Sequence, residues 1–124
     1  EKGDCFHCHG TALFTDNLFH NNGLDIEPFL DLGLGIITEN VSDNGKFKTP
    51  TLRNIEDSAP YMHDGRFKTL EEVVEFFDRG GDPLENKSPL MQPLNLQRQE
   101  KADLIKFLQA LEGEFQSVTL PDLP

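Results

Sequence analysis

An all-α domain of few helices and long loops is the fold class this sequence predicts. Three observations carry the prediction. The run Cys5-Phe6-His7-Cys8-His9 stands almost at the start of the sequence, and its spacing puts both thiols on one side of a helical turn. Two later segments, near 70–79 and 97–112, repeat apolar residues at helical spacing. The stretch between, from Thr15 to Ser58, has scattered apolar residues but no sustained period.

The elements follow in order. Residues 2–9 are expected to form a short helix. Asn21-Asn22-Gly23 and Asp43-Asn44-Gly45 are turn signals. One short helix is expected near 26–33. Pro50 holds Thr49 in an extended shape, so Lys46 to Leu52 reads as a strand-like segment. Thr69 is an N-cap whose capping box is completed by Glu72. Leu70, Val73, Val74 and Phe77 then share a face, and Gly80-Gly81 stops the helix. In the last helix Leu104, Ile105, Leu108 and Leu111 form the stripe, and Gly113 ends it. This helix is expected to cross the first one. The organisation is a single unit over 1–113, followed by an extended, proline-containing tail over 114–124.

Cys-x-x-Cys-His is the attachment signature of a c-type haem. Each thiol can add to a vinyl group at the porphyrin edge, and His9 then meets the iron from the proximal side at high local concentration. Two other chemistries use a Cys pair. A thioredoxin-like dithiol calls for a βαβ pattern, which is not visible. A zinc site needs two more ligands, and outside the motif only His20 and His63 remain among the histidines. Haem is the stronger reading. The expected architecture is therefore a cytochrome c-like domain wrapped round one covalently bound haem c.

Composition agrees with that reading. The chain has 124 residues, and only 36% are hydrophobic, a shortage that a large apolar cofactor would offset. A formal net charge of −11 excludes nucleic acid as a natural partner. It suits a basic redox partner. No stretch is apolar and long enough to cross a membrane. Covalent haem is assembled outside the bacterial cytoplasm, so a periplasmic or otherwise extracytoplasmic location is expected. No export leader precedes the motif, which points to a mature, processed or shortened form.

Several separated segments resemble the bacterial dihaem cytochrome c peroxidase and MauG family, in its C-terminal haem domain. They are Cys5-Phe6-His7-Cys8-His9-Gly10, Phe19-His20-Asn21-Asn22-Gly23, Pro50-Thr51-Leu52-Arg53-Asn54, Ala59 to Phe67, and Thr69 to Val74. The resemblance implies an electron-accepting, high-potential haem that serves a second, peroxide-reactive haem in another domain. It places Cys5 and Cys8 at the thioethers and His9 at the iron. It puts His63 between the two haems, a weak candidate for a catalytic role. Ser58 and Pro60 fall where the peroxidases offer oxygen ligands to a calcium ion, a chemistry that carbonyl oxygens suit.

At the sixth iron position the sequence departs from the family. The peroxidases use Met there and MauG uses Tyr, but an ungapped count from His63 lands on Phe77, which cannot bind iron. Three readings stay open. The iron is five-coordinate, with Phe77 covering an apolar pocket; or Met91, in the loop before the last helix, is the ligand; or Met62 is. Two functions follow. The first is a c-type cytochrome domain for single-electron transfer. The second is part of a peroxide-reducing or MauG-like oxidoreductase whose other haem lies elsewhere. A structural metal at the Cys pair is a third, non-redox reading.

Overall fold

The computed structural model describes residues 2–24 and 31–114. Among these residues the elements run α1 (Phe6–His9), β1 (Phe19–His20), α2 (Leu34–Thr38), β2 (Phe47–Lys48), α3 (Leu70–Asp78) and α4 (Arg98–Gln109). Two 3-10 turns, Val41–Asp43 and Ile55–Ser58, lie between them.

The small sheet departs from the all-α expectation. β1 and β2 pair antiparallel, Phe19 opposite Lys48 and His20 opposite Phe47. Thr49 N–H continues the pairing to Leu18 O at 2.9 Å. The extended residue before Pro50 supplies the geometry, as the sequence suggested.

Two helices differ in extent from the expectation. α1 is a single turn because Asp4 takes a left-handed backbone, φ 53°, which breaks the helix on its N-terminal side. α4 stops at Gln109. Beyond it the chain end is held by Asn54, whose N–H donates to Leu111 O at 3.1 Å and whose Oδ1 accepts from Gly113 N–H at 2.6 Å. The helix expected near 26–33 falls largely outside the described residues. Its described end, 31–33, is not helical, and the helix there is Leu34–Thr38 instead. The tail from 115 onward also lies outside the described residues.

The termini of α3 follow from sequence chemistry. Thr69 Oγ1 accepts from Glu72 N–H at 3.2 Å, and Glu72 returns a carboxylate to Thr69 N–H at 3.1 Å. At the other end Gly80 N–H donates to Phe77 O and Gly81 N–H to Phe76 O, at 3.0 and 3.2 Å. This is a Schellman ending, with both glycines at positive φ. A Cβ on Gly81 would collide with Asn22 O. The close approach therefore locks α3's end to the 21–24 loop.

α3 and α4 pack together and divide the core in two. Leu70, Val74 and Leu108 form one buried cluster, joined by Leu104, Ile105 and Leu111. Leu24, Phe76 and Met91 form the other, with Met62, Phe67 and Phe77 packed against it. Phe76 is 1% exposed, the most buried large side chain described. It is absent from the sequence-derived stripe, whereas Phe77, which the stripe includes, packs against this second cluster rather than with Leu70 and Val74. Between the helices, Asp78 accepts from Leu96 N–H at 2.7 Å and pairs with Lys101 at 2.7 Å.

α4 packs chiefly against α3 and the Ile55–Ser58 turn. α1 has no fully buried residue. The N-terminal segment reaches α4 through the Phe14–Phe107 ring pair and the Lys2–Glu100 ion pair.

Polar contacts organise the loops on the opposite side. Asn21, 4% exposed, donates through Nδ2 to Asn44 O at 3.2 Å and Asn86 Oδ1 at 3.0 Å. Its Oδ1 accepts from Gly23 N–H, and its backbone carbonyl accepts from Ser88 N–H, both at 2.8 Å.

Candidate haem attachment site

Cys5, Cys8 and His9 are carried by the single turn of α1. Neither cysteine is in a disulfide. Cys5 Sγ donates to Gly3 O at 3.1 Å. Burial around each sulfur pushes both thiol pKa values up; Asp16 and Cys5 add to the rise at Cys8, and Asp4 adds to it at Cys5. Both groups are therefore neutral thiols at pH 7.

His9 is oriented by one strong contact. Its Nδ1 lies 2.6 Å from Phe14 O. A carbonyl oxygen only accepts, so Nδ1 carries the proton and Nε2 keeps the free lone pair. That is the tautomer a metal-binding imidazole needs.

The loop that supplies this carbonyl is braced by the 50–54 segment. Thr51 Oγ1 donates to Leu13 O at 2.6 Å, and Arg53 Nη2 donates to Ala12 O at 2.7 Å. The Arg53 guanidinium also lies over the Phe14 ring, 5.5 Å from its centroid. Sequence reasoning gave Thr51 and Arg53 no role. Nothing in local spacing links them to residues 12–14, about forty positions earlier.

The donor set fits a c-type haem: two unpaired thiols, and an imidazole with Nε2 free one position after the second. Apolar side chains beside the motif stay exposed, among them Phe6 at 58% and Leu13 at 60%. They offer surface on which a porphyrin could pack.

The three sixth-position candidates converge. Met91 is buried beside Phe76 and Leu24, while Met62 and Phe77 pack on the same cluster from the side. The sequence separates them by up to 29 positions (91 minus 62). Met62 has a left-handed backbone, φ 72°, an uncommon state for a long side chain. The two backbone bonds between Tyr61 and Phe67 close the loop around it.

His63 lies elsewhere. Its exposed ring stacks on Phe47 with centroids 3.7 Å apart. It lines a cleft of about 630 Å³ together with Leu24, Leu32, Val41 and Leu84. Neither this cleft nor a neighbouring one of about 380 Å³, lined by His20, Lys46 and Lys87, includes Cys5, Cys8 or His9. Ser58 and Pro60 are exposed, and Ser58 Oγ is engaged with Ile55 O at 2.8 Å.

One grouping was not foreseen. Cys8, Asp16 and His20 bring ligand atoms within 4.8 Å of one another. Asp16 Oδ2 and His20 Nε2 are 2.8 Å apart. Burial opposes the charge on Asp16, but hydrogen bonds from His20, Leu18 N–H and Thr49 prevail and lower its pKa to about 2.

No family model matches the chain. Curated relatives do. The cytochrome-c peroxidase IdrP1 of Pseudomonas sp. (strain SCT) is 39% identical over 139 residues, covering 89% of this chain and 37% of its own length. The methylamine utilization protein MauG of Methylorubrum extorquens is 37% identical over 123 residues, covering 99% of this chain and 35% of its own. The chain thus spans about a third of the curated relatives it matches. Among solved structures, a MauG-like protein associated with microbial copper homeostasis superposes with TM-score 0.84 at 39% identity, over 91% of this chain and 43% of that one. A variant of the dihaem peroxidase BthA from Burkholderia thailandensis shares the fold, with TM-score 0.73 at 21% identity over 89% of this chain and 38% of that one. With these shared identities and the superposition, the chain belongs to the dihaem cytochrome c peroxidase and MauG family, of which it forms one part.

Proposed function

We propose that this chain is a c-type haem domain that accepts and passes on single electrons. Residues 1–113 form the haem-bearing unit. Cys5 and Cys8 hold the haem through thioethers, and His9 is the proximal ligand. The observation that carries the reading is the 2.6 Å contact from His9 Nδ1 to Phe14 O. It leaves the Nε2 lone pair free beside two thiols that are in no disulfide.

Bound there, haem supplies a one-electron iron couple. The rest falls to the chain. Phe14 O holds the His9 proton and fixes the ring. Thr51 and Arg53 hold the loop that bears this carbonyl. The cluster of Met62, Phe77 and Met91 would supply either a thioether ligand or an apolar packing surface for the haem. A thioether would raise the potential and close the iron to small ligands. An apolar wall would leave a position open without offering acid–base help to peroxide.

The surface favours a basic redox partner. The chain carries −11 formal charge, and Glu56, Glu71 and Asp57 add to burial in raising the Tyr61 pKa. Those three carboxylates put negative charge beside Tyr61. No helix among the described residues is long and apolar enough to cross a membrane, and covalent haem chemistry favours an extracytoplasmic site.

A second reading makes the domain the electron-input half, C-terminal in the family's order, of a peroxide-reducing or MauG-like oxidising enzyme with a second haem elsewhere. The names of its relatives favour it. His63, beside the 630 Å³ cleft, would then face the second haem domain, and Ser58 and Pro60 would offer oxygens to a calcium ion between the domains. The chain's length relative to its relatives is consistent with this arrangement.

Mass spectrometry and the reduced pyridine spectrum test the main reading. A single covalent haem c is expected. A bare peptide mass would refute it. Low-temperature electron paramagnetic resonance of the ferric protein identifies the sixth ligand. Steady-state peroxide reduction separates the two functions: the isolated chain is expected to turn over poorly, and brisk turnover would reject the carrier reading.

A further inference from the structure

We propose that the haem-free chain binds one borderline divalent cation, of the zinc class, between Cys8, Asp16 and His20, and that haem attachment at Cys8 abolishes this site. The sequence alone left zinc short of ligands, because only Cys5, Cys8 and distant histidines were in view. Folding brings in a carboxylate and an imidazole from the loop that precedes and enters β1.

The geometry supports a site. All three residues are half-buried, and their ligand atoms lie within 4.8 Å of one another. Donors on one tetrahedral zinc stand about 3.3–3.6 Å apart, given bonds of about 2.0–2.3 Å. The separations from Cys8 must tighten by up to about 1 Å and the 2.8 Å Asp16–His20 pair must open by about 0.5 Å, both within reach of side-chain rotation. Part of it is already oriented: Asp16 Oδ1 accepts from Leu18 N–H at 2.9 Å, which turns Oδ2 toward His20 Nε2 at 2.8 Å. Cys5 stands apart, its sulfur directed to Gly3 O.

The chemistry agrees. One thiolate, one imidazole and one carboxylate suit zinc rather than calcium or magnesium. On binding, the Cys8 S–H bond breaks, a sulfur–metal bond forms, and the proton leaves to solvent. The cation also displaces the hydrogen between His20 Nε2 and Asp16: a neutral His20 keeps its one proton on Nδ1, and a protonated one releases its Nε2 proton to solvent. No electron is exchanged. Asp16 disfavours a bare thiolate at Cys8, but the same negative charge attracts a dication. His20 also lines the cleft of about 380 Å³, and a water would complete the fourth coordination position.

A thioether sulfur is uncharged and a far weaker zinc ligand than a thiolate. The cation and the haem therefore compete for one sulfur. Cation binding would hold back attachment at Cys8 until the metal is removed.

The test is a zinc titration of the full haem-free chain, with thiols reduced, against a chromophoric chelator. One site is expected. His20→Ala and Asp16→Asn should each weaken it by about tenfold or more, Cys8→Ser should abolish it, and Cys5→Ser should change it by less than about threefold. Equal losses in Cys5→Ser and Cys8→Ser, or no loss in His20→Ala, would overturn the proposal. Cadmium in place of zinc counts sulfur ligands by thiolate-to-metal absorption: one sulfur supports the site, and two assign the metal to the Cys pair and reject it. Haem-loaded chain, verified by mass, should bind zinc about a hundredfold more weakly or not at all; unchanged affinity would overturn the competition. A chain that never acquires haem sinks the haem reading and leaves the zinc titration to be judged by itself.

Discussion

Arg53 Nη2 donates to Ala12 O at 2.7 Å across 41 positions of sequence. Its guanidinium covers the Phe14 ring whose carbonyl holds His9. Arg53 is thus a positioning residue for the imidazole. Arg53→Ala is expected to lower stability by about 1 kcal/mol and, in the haem-loaded protein, to shift the reduction potential. A purely structural role would move the melting temperature and leave the potential unchanged.

Phe77 packs against the cluster that holds Met62 and Met91. If the ungapped placement of the sixth position at Phe77 is correct, Phe77→Met introduces a thioether ligand. The potential should rise by about 0.1 V or more. A redox titration indistinguishable from the parent would refute that placement.

Asp16 gives a pH signature. Its folded-state pKa is about 2, below the unfolded value of about 3.9. A depressed carboxylate contributes stability that is fully present above the unfolded pKa and is lost as pH falls through the folded one. The melting temperature should therefore fall between about pH 4 and pH 2, and the fall should be shallower in Asp16→Asn. Parallel curves for the two proteins would contradict the assignment.

The two ends of α3 yield stability predictions of different size. Thr69→Ala removes the side-chain cap and should cost about 1 kcal/mol. Phe76→Ala empties a site that is 1% exposed and should cost about 3–5 kcal/mol. Chemical denaturation of the haem-loaded protein measures both.

Local signals in the sequence were read well. Thr69 with Glu72, and Gly80 with Gly81, fix their own helix ends through contacts within a few residues. The turns at Gly23 and Gly45 have the positive φ that their glycines suggest. The Cys-x-x-Cys-His run marks the candidate site because its chemistry is packed into five neighbouring positions. What escaped the sequence depends on distant partners. Phe76 belongs to a second cluster whose other members come from the 24 and 91 regions, so one helical stripe could not reveal it. The bracing by Thr51 and Arg53 acts on backbone carbonyls, which carry no side-chain signature. The Cys8–Asp16–His20 group arises only when the loop before β1 folds back on α1. Left-handed Asp4 cut α1 to one turn, something a helical reading of residues 2–9 could not foresee.

The amide of Asn21 serves Asn44, Asn86 and Gly23 together, while Ser88 leans on its carbonyl. Of these partners only Asn86 answers Asn21 with a side chain; Asn44, Gly23 and Ser88 do so with backbone atoms. A lineage that replaces Asn86 with an aliphatic residue strips a buried Nδ2 of one acceptor and comes under pressure to change position 21 as well. One amide thereby ties three distant stretches of the chain together.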